Sequence, residues 1–330
     1  MSDPFKFGGK VSREELIERI DGWLCGDSMK RLAGLFLRGW RPQFAPTESF
    51  YESFVDFVDD RWNSRGIVTT ERYATKYKEV PAHLHDEVRT LAQDLGLTSP
   101  SAPHHDHYDA VIAPGSQLWP MVMRVGYMNE LRNLGVSSDR YVGLGSGRPL
   151  YSGELDALSQ LTLSGTDEYS LMVTIIEKIF SRIATLGDRD LQQSNAASSI
   201  NFPATFHDTA TTCLISVVNT ENVNGKRPTT MDTFESWLKC VGDLTSLRRV
   251  LVITQPLYLY QQGAVAIEVL GLNNGLDVEV VGASDREYLP GFESPRPPTA
   301  QILQEVNGSV KRLVALRRRL VNDGPFGAGS

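Results

Sequence analysis

Apolar and polar residues alternate along this chain with two different periods, and the change between them divides it. Leu16, Ile17, Ile20, Trp23 and Leu24 recur at helical spacing after Ser12-Arg13-Glu14-Glu15. The S-x-x-E form there is that of a capping box, and together these predict a helix over 13–25. The same spacing predicts helices over 29–38, over 48–62, where Phe50, Phe54, Phe57 and Val58 share one side, and over 82–95. No strand pattern interrupts them, so residues 1–100 read as a helical module.

Thr98-Ser99-Pro100-Ser101-Ala102-Pro103 is rich in turn formers and marks a boundary. Beyond it, short apolar runs at 110–113, 141–144, 212–218, 250–254 and 278–281 alternate with helical patterns at 121–134, 168–186, 230–241 and 257–270. β-branched runs separated by helices predict an α/β fold over 106–290: a Rossmann-like, mostly parallel sheet with helices on both faces. Prolines at 295–298 precede a last helix over 300–321. The segment 295–330 is expected to pack on the body, with a loose tail at 324–330. The cations Lys311, Arg312, Arg317, Arg318 and Arg319 suit a helix carboxyl end and are read as solvated there rather than as a membrane patch.

Composition narrows the function classes. A chain of 330 residues, 41% hydrophobic and 22% charged, is long enough for a main domain with an appendage. It holds no apolar run approaching the ~20 residues of a membrane span. Met1-Ser2-Asp3-Pro4-Phe5-Lys6 has no secretory pattern, which makes the cytoplasm the expected location. The net charge of −7 argues against broad binding of nucleic acid. Cys25, Cys213 and Cys240 are too scattered for a disulfide framework and are read as buried thiols.

In a parallel sheet the loops at the carboxyl ends of the strands form the candidate site, and four of them carry polar chemistry. In the first, Pro114-Gly115-Ser116-Gln117, an apolar strand stops and a helix begins, with Arg124 about two turns into it. Backbone N–H groups and the positive helix end can receive an anion at such a turn. The second, Gly143-Leu144-Gly145-Ser146-Gly147-Arg148, has three glycines that permit close backbone approach and an arginine for charge. Neither loop completes a G-x-G-x-x-G or P-loop fingerprint. The third runs from Asn219 through Glu221, Lys226, Arg227, Thr229 and Thr230 to Asp232, and one of the two threonines is expected to cap the next helix. The fourth holds Thr254, Gln255 and Tyr258, with Gln261 and Gln262 beyond, groups suited to a ribose or base edge.

The order of these loops resembles the YdcF/SanA/ElyC family, in particular its YdcF-like branch, over residues 106–290. In that family a glycine loop precedes an arginine-bearing helix, as Gly115 and Arg124 do, and the second strand ends in a Ser/Gly turn like Gly145-Ser146-Gly147. A glutamate opening the next helix corresponds to Glu168, and an acidic residue after the third strand to Glu221. The chain departs from the family at 227–234, which lacks the usual asparagines. It departs again at Thr254-Gln255-Pro256-Leu257-Tyr258, where the usual histidine and arginine are absent. The resemblance implies a Rossmann-like domain and an adenosyl ligand such as S-adenosylmethionine.

The resulting expectation is a protein that binds a nucleotide-derived or anionic small molecule, with Arg124 and Arg148 neutralising the anion. Glu168, Glu221 and Asp232 orient hydroxyls or move protons. The alternative is a binding or regulatory protein without turnover. His104-His105-Asp106-His107 precedes the first strand, away from the expected cleft, and is read as solvated linker rather than a metal site. No G-x-S-x-G elbow occurs, and the adjacent His207 and Asp208, in a stretch read as loop or insertion over 201–212, do not make a triad.

Overall fold

The computed structural model describes residues 11–37, 42–64, 76–180, 183–185, 204–208, 213–221, 227–241 and 244–322, with backbone alone at 183–185 and 204–208. Residues 222–226 of the third loop, with Lys226, and the tail 324–330 lie outside the described residues. The chain divides into two compact units. One comprises residues 1–99, 256–264 and 296–330, the other residues 100–255 and 265–295.

The helical unit contains α1 (Arg13–Cys25), α2 (Asp27–Gly34), α3 (Glu48–Trp62), α4 (His85–Asp94) and α10 (Thr299–Asn322). Ser12 caps α1, its hydroxyl accepting Glu15 N at 3.1 Å. The apolar stripes close inward, with Ile20, Leu24, Phe54, Val58, Leu91, Val306 and Leu313 inaccessible to solvent. The carboxyl-terminal helix packs with α1, α3 and α4. Three of its cations are paired with those helices: Lys311 with Asp59, Arg318 with Glu48, and Arg317 with Asp21 while lying over the Tyr51 ring at 4.6 Å. Residues 256–264, read from sequence as part of the α/β domain, contribute here. Tyr260 OH and Trp23 Nε1 both donate to Leu95 O, at 2.7 and 3.1 Å.

The α/β unit is built on β1 (His107–Ala113), β2 (Ser137–Ser146), β3 (Ile183–Thr185), β4 (Ala204–Asp208), β5 (Leu214–Thr220), β6 (Arg249–Thr254) and β7 (Asp277–Gly282). The sheet order is β3-β4-β5-β2-β1-β6-β7. The strands β5, β2, β1, β6 and β7 pair in parallel, and β3 and β4 add an antiparallel edge. This is the Rossmann-like α/β fold read from the sequence.

Between the strands run α5 (Leu118–Asn133), α6 (Ser152–Gln160), α7 (Glu168–Ile179) and α8 (Thr230–Val241); α9 (Leu259–Ala266), most of which belongs to the helical unit, continues as a π-type turn over Ile267–Leu272. α5 and α7 pack together over β1 and β2, with Met121, Val125, Met172 and Ile175 in one core with Val111 and Val217. α8 packs on β5 and β2 and meets Ile267–Leu272. After β5 the chain passes back beyond β1 to β6. Right-handed crossovers put the connecting helices on opposite faces either side of that reversal, and the carboxyl ends of β1 and β6 form a switch point.

Three details differ from the sequence reading. The helix expected over 168–186 ends at Ile179 and is followed by β3, and part of the loop expected over 201–212 is the edge strand β4. Both strands are too short for a period-2 pattern to stand out. The cysteines are not uniformly buried: Cys213 is, Cys25 is half-buried and Cys240 is exposed.

Candidate functional site

Three loops place a buried polar group at the carboxyl ends of β1, β2 and β5. β2 ends in Ser146, and the chain then doubles back so that Pro149 bridges Asp167, Leu150 N donates to Thr166 O at 3.1 Å and Glu168 N to Arg148 O at 2.9 Å. This clamp brings the first residue of α7 beside the end of β2. Asp167 caps α7, accepting Ser170 N at 2.7 Å, while Ser170 Oγ accepts Asp167 N at 3.1 Å. Glu168 follows in the first turn, where a carboxylate is favoured by the helix dipole.

Glu168 is 4% exposed, and Ser146 Oγ donates to its Oε2. Arg148 Nε stands 3.9 Å from Oε2 and Arg227 Nη2 3.9 Å from Oε1, one beside each oxygen of the carboxyl group. Burial pushes the Glu168 carboxyl above the usual carboxylate range; Arg227, Arg148 and the Ser146 hydroxyl pull it back only in part, and Glu154 adds to the rise. Arg227 is half-exposed, so this side of the carboxyl group lies toward solvent. In the third loop Thr220, 4% exposed, lies in register with Ser146 on the adjoining strand. Its hydroxyl and the amide oxygen of Asn219 have no hydrogen-bond partner among the described residues.

The glycines serve packing. A Cβ on Gly145 would stand 2.7 Å from Tyr169 Cα, and one on Gly143 2.7 Å from Met172 Cγ, so both glycines let α7 press onto β2. The sequence reading gave that approach to a ligand; the structure gives it to a helix. Gly115 has a different neighbour: its Cβ would meet Leu144 O at 2.6 Å and Glu168 Oε1 at 2.7 Å. The bare backbone of the first loop thus makes room for the Glu168 carboxyl group. Gly147 follows Ser146 in the turn and is partly exposed.

Several residues read as ligand contacts are engaged by the protein itself. Arg124 is completely buried and donates from Nη1 to Pro114 O at 2.6 Å and Gly115 O at 3.0 Å, so it braces the first loop from beneath instead of facing an anion. Arg148 grips Glu154 through both terminal nitrogens, at 2.8 and 3.0 Å, and donates to Ser116 O at 3.0 Å. Asp232 accepts from Thr229 N at 2.6 Å and Thr229 Oγ1 at 2.8 Å, while its own N–H reaches Thr229 Oγ1 at 3.3 Å. That is the reciprocal cap of α8, with Thr230 its first residue, and it accounts for Asp232 without chemistry. Glu221 follows β5 and is exposed.

In the fourth loop Thr254 is buried and Gln255 Nε2 lies 3.0 Å from Met123 Sδ. Tyr258 and Gln261 belong to the helical unit, where Tyr258 OH accepts from Gln301 Nε2 at 3.2 Å and the Gln261 amide lies beside Gly308. The structure therefore brings together Gly115, Ser116, Ser146, Arg148, Glu168 and Arg227, and assigns Arg124, Thr229 and Asp232 to support.

Glu154 is the residue the sequence reading missed. It is fully buried, and its carboxylate accepts Leu118 N at 2.8 Å and Tyr151 N at 3.2 Å besides the Arg148 fork. Its local signal is modest, a glutamate at the third position of α6, where a side chain commonly turns back to the preceding backbone amide.

At the opposite end of the sheet the histidine stretch is more than linker. His104 N and Nδ1 stand 2.8 and 2.7 Å from Oε1 of the buried Glu279, whose Oε2 accepts from Tyr108 OH. His107, Asp109 and Asp139 hold ligand-type atoms within 4.8 Å of one another, with Asp109 Oδ2 accepting Arg248 N and Arg249 N at 2.6 and 2.7 Å. Among the described residues no helix is long and apolar enough to cross a membrane.

No family model matches the chain. It is similar to uncharacterized proteins of Mycobacterium bovis and of two strains of Mycobacterium tuberculosis, CDC 1551 and H37Rv. Each is 25% identical over 325 residues, spanning 91% of this chain and 89% of the relative. No solved structure matches.

Proposed function

We propose that this chain is a YdcF-like small-molecule-binding protein that holds an adenosyl ligand, S-adenosylmethionine or a derivative, over the carboxyl ends of β1, β2 and β5. Arg227 anchors the ligand's carboxylate, the backbone of Gly115 and Ser116 forms one wall, and Glu168 moves a proton or orients a hydroxyl. The observation that carries the reading is the Glu168 carboxyl group. It is buried at the carboxyl ends of parallel strands, bonded to Ser146 and raised in pKa by burial, an arrangement that suits a group that gives or takes a proton. The ligand's identity rests on the family resemblance. The net charge of −7 supports a small-molecule partner over nucleic acid, and the cytoplasm is the proposed location.

The test is thermal unfolding with S-adenosylmethionine and S-adenosylhomocysteine. A ligand bound by the folded state alone stabilises it by about 2.7 kcal/mol at a hundredfold excess over its dissociation constant. The shift is expected for the native sequence and reduced in Arg227→Met and Glu168→Gln. No shift with either compound at millimolar concentration removes the adenosyl ligand.

The engagement of Asp232 in the α8 cap and of Tyr258 in the helical unit favours a second reading, a binding protein without turnover. Conversion of S-adenosylmethionine to S-adenosylhomocysteine by the purified protein separates the two.

A further inference from the structure

We infer that Glu154 is a specificity residue, an anion built into the chain that closes the amino-terminal end of α5 to phosphate, so that the neighbouring site takes a phosphate-free zwitterion. The inference rests on the binding site proposed above and concerns what that site rejects. In an open parallel sheet the turn after β1 and the first turn of its helix supply orphan amides and positive partial charge, and phosphate groups are received there. The amide of Leu118, the first residue of α5, is already donated to Glu154 Oε1 at 2.8 Å.

The rest of the Glu154 carboxylate is saturated as well. Oε1 also accepts from Arg148 Nη2 at 3.0 Å, and Oε2 accepts from Arg148 Nη1 at 2.8 Å and Tyr151 N at 3.2 Å. Neither partner is accessible: Glu154 is 0% and Arg148 5% exposed. Arg148 also donates to Ser116 O, so the same guanidinium that neutralises Glu154 fixes the first loop. An entering phosphate must displace a carboxylate held by four donors, or lie beside it as a second buried anion, and both are unfavourable.

Among the described residues, Arg227 pairs with Glu168 Oε1 from the more exposed side, and the exposed Glu221 follows β5. One cation beside carboxyl groups matches a ligand with a carboxylate and an ammonium, the two ends of an amino-acid moiety.

The experiment uses the full chain, the native sequence against Glu154→Ala and the near-isosteric Glu154→Gln, at constant ionic strength. Inorganic phosphate, formate and ATP are the probes, read by thermal unfolding and titration calorimetry. The native protein is expected to show no saturable stabilisation by any of them. Glu154→Ala is expected to lose stability and regain it with formate or phosphate, with phosphate affinity raised at least about tenfold. If Glu154→Ala does not fold, Glu154→Gln carries the measurement, since it keeps the shape and removes the charge. Saturable phosphate or ATP binding by the native chain overturns the inference, as does equal phosphate affinity in native and variant proteins. Because these probes are independent of adenosyl compounds, failure of the S-adenosylmethionine assay sinks the proposed ligand and leaves this result standing.

Discussion

Replacing Gly145 by alanine tests whether the glycines of the second loop exist for helix packing. The added Cβ would stand 2.7 Å from Tyr169 Cα and 3.2 Å from Tyr169 N. Ordinary contact begins at 3.4 Å, so the first separation falls short by about 0.7 Å. The opposing atoms are backbone, so no rotamer change relieves the clash and the first turn of α7 must move. Overpacking of this kind costs about 1–3 kcal/mol, and the upper end applies where backbone must shift. Gly145 has no positive φ, so alanine recovers about 0.4–1 kcal/mol through the unfolded chain.

The net expectation is a loss of about 2 kcal/mol. That corresponds to roughly 4–8 °C in Tm for a domain of this size. Thermal and urea unfolding of the variant measure it, with Gly271→Ala as control because its nearest atom would be at 3.6 Å. Since the Glu168 carboxyl group rides on the displaced turn, ligand affinity should fall with stability. A Gly145→Ala protein within about 0.5 kcal/mol of the native one, a typical surface-substitution effect, would refute the packing argument.

Further predictions concern the supporting residues and the acid. Arg124→Met removes a guanidinium bonded to Pro114 O and Gly115 O and should cost about 1.5–3 kcal/mol in urea unfolding; unchanged stability would return Arg124 to the candidate ligand contacts. Thr229→Ala and Asp232→Ala should each destabilise by about 0.5–2 kcal/mol and be non-additive as a pair, with S-adenosylhomocysteine affinity retained. A loss of affinity without loss of stability would give Asp232 a role in binding. The folded-state pKa of Glu168 is raised, so its stabilising contribution is complete below the unfolded value and is lost as pH rises through the folded one. Glu168→Gln should therefore gain stability relative to the native chain as pH rises from acidic toward neutral, and a difference that does not vary with pH would contradict the burial argument.

Much of the architecture was legible because burial follows period. Val111 and Val217, Met121 and Val125 occupy the core that alternation and helical spacing assign them. The long-range partners were not. Gly143 and Gly145 read as ligand glycines because the atoms that need their bareness belong to Met172 and Tyr169, far along the chain. The same loop pattern that identified Glu168 gave no sign that Arg148 is claimed by Glu154, since that pairing depends on α6 folding back over the start of α5. Residues 256–264 read as a loop and helix of the sheet domain. Only the structure shows Tyr260 sharing the Leu95 carbonyl with Trp23.

The most direct test of the binding site is hydrogen exchange of the native chain with and without saturating S-adenosylhomocysteine. Amides of 113–118, 144–150 and 166–170 are predicted to slow together, because these segments carry the backbone around Glu168. Unchanged exchange there, or protection confined to the amino-terminal ends of β1 and β2, would contradict the account.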